Sequence, residues 1–451
     1  MERVDRISGE YEGQENVPIK KIALASTIGS IVEWYDFFIY GTAAALVFNE
    51  LFFPSFDPLI GTLAAFGTFA VGFIARPLGG IVCGHYGDTI GRKAMLILTL
   101  MVMGVATLLI GLLPTYNTIG ILAPILLVVL RFIQGFGLGG EVAGAQLMIV
   151  EYAPAGKRGF YGSWPMTGSY IGLVLSTATL FGSSYLLSNE QFLAWGWRVG
   201  FLLSAILIGV GLFIRLTIME TPVFRRIKET NTEAGMPILE VIRTYPRQLL
   251  LAVGMYLSIT VTFYIVTVFS LAYATTQLGM SRSTVLALAM LASILLVATA
   301  LFGGALSDRI GRRPIFFGGT LFIAVVAFPF FWLMDTREPI LVFLAIFLLG
   351  LGVSVMVATQ GAFFAELFGA RVRYTGVSTG IAIATLVGGA ATPSLATALI
   401  AWSGGSGWPV SAYVAAVGLI SFLSTWLVTE TYQSDIEEEA PVRTGEPQVE
   451  A

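Results

Sequence analysis

Twelve long apolar stretches recur along the chain, and they limit its possible folds more than any other feature of the sequence. An apolar helix of about 20 residues crosses the hydrocarbon core of a bilayer, which is about 30 Å thick. Only 12% of the 451 residues are charged, whereas soluble domains carry about 25%. The sequence therefore predicts an all-α polytopic membrane protein with twelve transmembrane helices, at residues 22–48, 59–82, 94–113, 121–149, 160–187, 197–217, 248–274, 284–306, 314–334, 339–368, 374–401 and 409–429.

The longest connection between these spans divides them into two sets of six. Most Lys and Arg residues outside the spans lie on the side of the two termini, so the positive-inside rule predicts cytoplasmic termini and a multi-pass protein of the plasma (inner) membrane. The predicted domains are a cytoplasmic segment at 1–21, a six-helix bundle at 22–217, a cytoplasmic loop at 218–247, a second bundle at 248–429 and an acidic, flexible, solvated tail at 430–451.

Several function classes are disfavoured by composition. One cysteine, Cys83, and one histidine, His85, exclude a disulfide framework and argue against a metal site. The sequence contains no H-E-x-x-H motif and no cluster of metal-ligating residues, so an enzyme is not expected. Gly135, Gly137 and Gly140 match the dinucleotide pattern G-x-G-x-x-G, but no strand precedes them; G-x-x-x-G steps such as Gly135/Gly139 and Gly140/Gly144 indicate close helix packing instead.

A charged decapeptide occurs twice, as GHYGDTIGRK at 84–93 and as GALSDRIGRR at 304–313, in corresponding loops of the two halves. A second signature is also doubled: Glu151 stands seven residues before Arg158, and Glu366 stands seven residues before Arg373. Two signatures in the same order at nearly the same offset predict a duplicated six-helix unit. Many transporters are built in this way, with the substrate site between the halves.

The doubled signatures also predict a cytoplasmic gate with one part in each half. Glycine permits a tight turn, Asp can cap a helix N-terminus, and the cations can meet the Glu residues at neighbouring helix ends. The alternative is that the cations only fix the membrane orientation. The predicted gate residues are Gly84, Asp88, Gly91, Arg92, Lys93, Glu151, Arg158, Asp308, Gly311, Arg312, Arg313, Glu366 and Arg373.

Three carboxylates inside the spans are candidates for proton coupling. A charge at the bilayer centre costs about 2.5–3.5 kcal/mol, so it must face a cavity or a partner. Glu33 and Asp36 share one face of the first span with Tyr40, and Glu141 lies in the fourth span. Such carboxyl groups could take up a proton on one side and release it on the other. The alternative is a helix contact held by hydrogen bonds.

Arg131, near the middle of the fourth span, is the leading candidate for substrate binding because its planar guanidinium can hold a carboxylate. The alternative is a structural ion pair with Glu33, Asp36 or Glu141. Arg76 could face the cavity as a second anion-binding group or extend to the cytoplasm. The remaining candidates for substrate contact are uncharged: Tyr40, Gln134, Tyr264 and Gln360.

The doubled decapeptide is typical of the major facilitator superfamily. The stretches EWYDFFIYG, RPLGG, RFIQGFGLGGE, WGWR and RVRYTG resemble its metabolite:proton symporter family, which includes permeases for shikimate, α-ketoglutarate, citrate and proline/betaine. EQFLAWGWR resembles the shikimate-like branch. Val142 stands where the family often has Trp, and Met166 where it often has Gln. Since both positions are expected to line the cavity, the substrate of a relative cannot be assumed.

This resemblance implies a secondary active transporter that moves a small polar metabolite by alternating access, with proton symport. An organic acid is favoured, and a zwitterion such as betaine or proline is next. The expected partners are substrate, protons and lipid, with no nucleic acid, no cofactor and a functional monomer. The alternatives are a drug/proton antiporter, disfavoured because no Gly precedes Pro165 in the fifth span, and a transporter-like sensor that does not transport.

Overall fold

Twelve long helices account for most of the described residues, and they begin and end close to the predicted spans. The structure is a computed structural model that describes residues 19–90, 92–139, 149–150, 153–154, 156–217, 237–368 and 373–432. The long helices are α1 (Ile19–Leu46), α2 (Pro58–Ile90), α3 (Arg92–Leu112), α4 (Leu122–Leu138), α5 (Trp164–Leu186), α6 (Arg198–Thr217), α7 (Pro246–Tyr264), α8 (Arg282–Ile310), α9 (Arg312–Asp335), α10 (Pro339–Leu367), α11 (Arg373–Ala384) and α12 (Trp408–Trp426).

Two of these helices continue through π-helical turns. α7 runs on to Gln277, and α11 passes through Thr385–Gly389 into Thr392–Trp402. Within the described part of the chain, seven helices are by length and composition apolar enough to span a bilayer, or eight if the bent pair Asn189–Gly196 and Arg198–Phe213 is one span. The remaining short helices are Phe48–Phe52, Tyr116–Ile119, Arg158–Gly162 and Pro237–Thr244.

Most of the predicted terminal segments and most of the predicted central loop lie outside the described residues, so the domain boundaries stay predictions. The packing of the long helices is nevertheless repeated. In the first six, α1 packs on α5 and α6, α2 packs on α4, and α3 packs on α4 and α6. In the second six, α7 packs on α11 and α12, α8 on α10, and α9 on α10 and α12. Every contact of the first set recurs six helices later, as a duplicated unit requires.

The two sets of helices meet where α5 packs on α8 and where α2 packs on the second part of α11. A shift of six helices turns the α5–α8 contact into the α11–α2 contact and the reverse. The halves are therefore related by pseudo-two-fold symmetry. In addition, α1 contacts the continuation of α7. The middle of α1 and the middle of α7 therefore face each other between the halves, which is where the candidate site is found.

Backbone contact between α2 and α4 fixes the position of the helix that carries Arg131. A Cβ atom added at Gly135 would lie 2.2 Å from the Gly72 carbonyl oxygen, and one at Gly139 would lie 1.9 Å from the Arg76 carbonyl oxygen. Only glycine permits this approach. The predicted Gly135/Gly139 step is thus a true close contact, whereas the Gly140/Gly144 step lies outside the described residues.

Gly135→Ala should therefore destabilise the protein, because α2 and α4 would have to move apart to admit the methyl group. We expect a loss of about 1–3 kcal/mol, seen as a lower Tm in detergent. Gly209→Ala on α6 is the matched control, since nothing lies within 4 Å of its added Cβ. That control should keep or raise the Tm, because Ala is favoured over Gly in helices by about 1 kcal/mol. Equal Tm changes in the two variants would contradict this view of the α2–α4 contact.

Candidate functional site

The side chain of Arg131 projects from α4 into a group of aromatic rings and is fully buried. Its guanidinium carbon lies 4.2 Å from the ring centre of Tyr40, 4.9 Å from Phe69 and 5.0 Å from Phe37. Gly72 on α2 provides the space, because a Cβ atom there would lie 2.6 Å from the Arg131 Nε atom. The close approach of α2 and α4 thus places a positive charge inside the first six helices.

Arg76 on α2 lies beside the same rings. Its guanidinium carbon is 4.6 Å from the centre of Phe37 and 5.0 Å from the centre of Phe73. Of the two orientations considered for Arg76, the structure shows the inward one. Arg76 and Arg131 therefore share the ring of Phe37, so two cations face one region of the interior.

Neither arginine forms an ion pair with a carboxylate among the described residues. The Nε and Nη2 atoms of both Arg76 and Arg131 are buried there without a hydrogen-bond partner. Cation–π contacts contribute about 2 kcal/mol each when desolvated, which offsets only part of the cost of burying a charge. The alternative considered for Arg131, an ion pair with Glu33 or Asp36, is not formed, and Glu141 lies outside the described residues. Such a site is suited to bind an anion.

A chain of hydrogen bonds leads from Arg131 to Asp36 on α1, whose side chain is fully buried. Arg131 Nη1 donates to Gln134 Oε1 at 2.6 Å. Gln134 Nε2 donates to the Thr107 hydroxyl at 2.7 Å and to the backbone carbonyl of Asp36 at 3.1 Å. The Thr107 hydroxyl donates to Asp36 Oδ2 at 3.3 Å. Thr107, on α3, was not among the predicted site residues.

The other predicted site residues on α1 and α7 lie near this chain. Tyr40 donates its hydroxyl hydrogen to Thr68 on α2 at 2.7 Å. Tyr264 packs edge-on against Phe73, with ring centres 5.2 Å apart, and so closes the aromatic group from the second half. Glu33 is buried one helical turn before Asp36.

Gln360 is not brought to Arg131. It is buried in α10, and a Cβ atom on its neighbour Gly361 would lie 3.7 Å from the Gly162 carbonyl oxygen. Gly162 belongs to the short helix Arg158–Gly162, just before α5. Gln360 therefore lies toward the end of the molecule that carries the second decapeptide, because Gly162 belongs to the short helix that Asp308 contacts.

At that end, Asp308 connects the two halves. Its Oδ1 atom accepts the backbone N–H of Gly159 at 2.8 Å, and its Oδ2 atom accepts that of Phe160 at 2.8 Å. Arg312 donates to the same Oδ1 atom at 2.8 Å. A carboxylate from the second half thus caps a short helix of the first half, and Arg312 holds the carboxylate in place.

Arg312 also reaches Glu366 on α10, at 3.5 Å, and Gly311 makes the turn before it with a φ of 101°. Arg313 does not meet Glu366 and instead donates to the backbone carbonyl of Trp426, at 2.6 Å. Arg158 lies close enough to Glu366 to interact with it electrostatically. Arg373 is buried and donates to the backbone carbonyl of Phe368 at 3.3 Å. The described residues do not include Gly91 and Glu151. Nothing is described of the surroundings of Gly84 or of the side chains of Asp88, Arg92 and Lys93.

The sequence interpretation missed two residues that follow α12. The carboxylate of Glu430 accepts the backbone N–H groups of Arg312 and Arg313, at 2.9 and 3.0 Å, and thereby caps α9. The Thr431 hydroxyl donates to Glu366 Oε2 at 2.6 Å. The predicted solvated tail therefore starts with two anchored residues, since Glu430 is exposed but bonded to α9 and Thr431 is buried. A carboxylate directly after the last span, on the same side as the α9 N-terminus, was the available signal.

The opposite end is also bridged, by a residue that the sequence analysis did not single out. Arg282, at the start of α8, donates to Asn189 Oδ1 at 2.9 Å and to the Leu46 carbonyl at 3.4 Å. It also lies 3.8 Å from a carboxylate oxygen of Glu50. These partners all belong to the first half of the chain. The two halves are thus joined at both ends of α8, and the central residues lie enclosed between them.

The comparisons with known proteins agree with this architecture. Residues 26–383 match the model of the Major Facilitator Superfamily. The shikimate transporter of Escherichia coli (strain K12) is 42% identical over 418 residues, which cover 92% of this chain and 95% of that protein. The proline/betaine transporter of the same strain is 34% identical over 418 residues, covering 89% and 82%. The crystal structure of a D-xylose-proton symporter has the same fold, with a TM-score of 0.73, 16% identity and coverage of 92% and 99%.

The resemblance inferred from the doubled decapeptide is therefore confirmed. The inner membrane metabolite transport protein YhjE of Escherichia coli (strain K12), which is 41% identical and covers 93% of this chain and 96% of its own, adds a further relative. These matches extend over both sets of helices, so they concern the whole architecture and not one motif. The chain belongs to the Major Facilitator Superfamily and is a multi-pass membrane transporter of small metabolites, not an enzyme.

Proposed function

We propose that the protein carries a small organic anion into the cell together with protons. The observation that supports this best is the pair of buried guanidinium groups on the Phe37 ring, Arg76 and Arg131, which lack a carboxylate partner among the described residues. A substrate carboxylate between them would receive charge-assisted hydrogen bonds from both. Shikimate, the substrate in the name of one relative, is the first compound to test.

The aromatic rings favour an anion over betaine or proline. A quaternary ammonium group usually binds over the open faces of aromatic rings. Here Phe37, Tyr40, Phe69 and Phe73 already lie against guanidinium groups. A second cation would meet the repulsion of two arginines. The same argument disfavours a cationic drug as the substrate.

Asp36 is the leading candidate for the proton site, with Glu33 and Glu141 as further candidates. Asp36 is buried and bonded to Arg131 only through Gln134 and Thr107. Asp36 forms no direct ion pair with Arg131. It can therefore gain or lose a proton without breaking an ion pair of Arg131. A proton gradient would then drive transport, and no cofactor is needed.

The contacts at the two ends of α8 would act as gates. We place the Asp308 end in the cytoplasm, by the distribution of Lys and Arg. α8 has 29 residues and so extends about 43 Å. Opening toward one side would break the Asp308 contacts, and opening toward the other would break those of Arg282. Each functional unit is a monomer with its own pathway and no role for nucleic acid.

The transport proposal can be tested with purified protein. We expect shikimate or another organic acid, such as α-ketoglutarate or citrate, to raise the Tm, since a ligand that binds the native state stabilises it. Glycine betaine and proline should not. In proteoliposomes, an inward proton gradient should drive accumulation of the stabilising acid. Stabilisation by betaine alone would contradict the anion proposal, and binding without accumulation would indicate a sensor.

Arg131→Gln should weaken binding of the stabilising acid by about 2–5 kcal/mol, because a substrate carboxylate would be left buried without its partner. This corresponds to a loss of affinity of about 30-fold or more, measurable by calorimetry. Arg131→Lys should lose less, because it keeps the charge but not the planar pair of donors. The control is Arg243→Gln, which changes an exposed cation on the helix Pro237–Thr244.

A second measurement tests whether Arg131 contacts the substrate directly. Arg131→Gln combined with Asp36→Asn removes both charges of the hydrogen-bonded chain. If Arg131 serves only Asp36, the double variant should bind the acid as tightly as the native protein. Affinity that stays low in the double variant would support direct contact.

Asp36→Asn should separate coupling from translocation. Asn has nearly the same shape as Asp but cannot carry the proton, so we expect loss of gradient-driven accumulation while substrate exchange across the membrane continues. Glu33→Gln serves as the parallel variant at the neighbouring carboxylate. Normal accumulation in Asp36→Asn, in Glu33→Gln and in the double variant would exclude both and leave Glu141.

The gates predict opposite responses to two substitutions. Asp308→Asn removes one of the two acceptor oxygens that cap Gly159 and Phe160, so the halves should separate at that end alone. Arg282→Ala should separate them at the other end. Spin labels at the exposed positions Lys157 and Arg309 report the first distance, and labels at Glu190 and Ser281 report the second, in a Cys83→Ser background. Lengthening of both distances by either variant would contradict independent gates.

A further inference from the structure

The hydroxyl group of Thr107 is shared among three partners. It lies 2.9 Å from the Met103 carbonyl oxygen and 3.3 Å from Asp36 Oδ2, and it accepts a hydrogen bond from Gln134 Nε2 at 2.7 Å. A hydroxyl has one hydrogen to donate and two lone pairs. Thr107 therefore cannot donate to Met103 and to Asp36 at the same time. The charge on Asp36 decides which of these two acceptors receives the hydrogen.

The amide of Gln134 has only one favourable orientation in its surroundings. Its oxygen accepts from Arg131 Nη1 at 2.6 Å, and its nitrogen donates to Thr107 and to the backbone carbonyl of Asp36. A flipped amide would turn its donors toward the donors of Arg131 and its oxygen toward a carbonyl. The position of the Arg131 guanidinium therefore depends on where Thr107 and Asp36 hold this amide.

We infer that Thr107 and Gln134 are positioning residues that transmit the protonation state of Asp36 to the guanidinium of Arg131. The inference rests on the proposed function, in which Asp36 carries the proton and Arg131 binds the substrate. When Asp36 is ionised, Thr107 donates its hydrogen to Oδ2. When Asp36 is protonated, its own hydroxyl donates to Thr107, and the Thr107 hydrogen returns to Met103.

Protonation thus raises the number of hydrogen bonds that the Thr107 oxygen accepts from one to two. The amide of Gln134 shares this oxygen, so it must shift, and Arg131 Nη1 shifts with it. No proton other than the one on Asp36 is gained or lost. The device links the proton to the anion-binding group without direct contact between them, since Asp36 Oδ1 has no hydrogen-bond partner among the described residues.

The groups around Asp36 leave this route well defined. On its own helix, Glu33 and Tyr35 are the nearby titratable residues. α4 presents Arg131, through Gln134. α3 presents the Thr107 hydroxyl, and α6 turns the hydroxyl of Ser204 toward Asp36. Arg76, on α2, lies against the rings of Phe37 and Phe73.

The test follows Asp36 and Arg131 separately by NMR of the full chain in lipid nanodiscs, without substrate. Carboxyl carbons of Asp and guanidinium carbons of Arg are labelled, and the two signals are assigned by their loss in Asp36→Asn and Arg131→Lys. In the native protein, the Arg131 signal should shift with pH at the same midpoint as the Asp36 signal. It should not shift in Asp36→Asn.

Thr107→Val keeps the shape of the side chain and removes the hydroxyl. We expect Asp36 still to titrate while the Arg131 signal no longer follows it. Thr107→Ser should restore the shift. Gln134→Leu breaks the same route on the Arg131 side and provides an independent variant if Thr107→Val does not fold. Thr42→Val is the matched control, because the Thr42 hydroxyl is buried on α1 without a partner in the described residues.

Two results would overturn the inference, and they are distinguishable. If Arg131 still follows Asp36 in Thr107→Val and in Gln134→Leu, the coupling takes another path while the proposed function stands. If the Asp36 signal does not titrate in the native protein, the proton site itself is misplaced, and the relay fails with it. Loss of the Arg131 response in Thr42→Val as well would show that the effect is not specific to the hydroxyl of Thr107.

Discussion

The fully buried charge of Arg131 is the constraint on which the centre of this structure depends. An ionised group inside a membrane protein must find compensation, because desolvation costs several kcal/mol. Here the compensation among the described residues consists of aromatic ring faces and one amide oxygen, with no carboxylate in direct contact. Gly72, in the close contact between α2 and α4, leaves space for this side chain. α1 and α7 supply rings that cover it. The site is therefore stabilised but left incomplete, and a substrate anion can complete it.

The two halves divide the work unevenly, although their helices pack by the same pattern. The acids and the cations of the centre lie in the first half, while the second half contributes Tyr264 and the apolar wall around it. The second half instead holds the ends together, because α8 carries Arg282 at its start and Asp308 near its finish. α8 contacts the first half at both of its ends. If the contacts at one end break while those at the other end stay, the centre opens to one side only. This geometry is the basis of the two proposed gates.

The contacts near Asp308 form the charged part of the proposed gate at that end of α8. Asp308, Arg312, Glu366, Thr431 and Glu430 form one connected set of hydrogen bonds. Within it, the bonds from Asp308 to Gly159 and Phe160 cross between the halves, whereas the bonds of Glu430 stay within the second half. Opening the gate would therefore break a few cross-half bonds while the rest of the set keeps the charged groups paired. Arg312 is buried between Asp308 and Glu366, and all three belong to the second half, so these ion pairs need not break when the halves separate.

The number of helices, their approximate bounds and the duplicated unit could be predicted from the amino-acid sequence. Apolar stretches of a length that crosses a bilayer mark the helices, and repeated motifs mark the duplication. The sequence also drew attention to Arg131 and Asp36, because charges are rare in spans and costly there, and to Asp308, because its decapeptide occurs twice. Which of these groups form hydrogen bonds with one another became visible in the three-dimensional structure. The structure connects Arg131 to Asp36 through Gln134 and Thr107 and not by an ion pair. It also brings Arg282 to Asn189 and places Glu430 on α9. Those contacts join residues far apart in the chain, and their geometry depends on how closely the helices approach, which no periodicity in the sequence records.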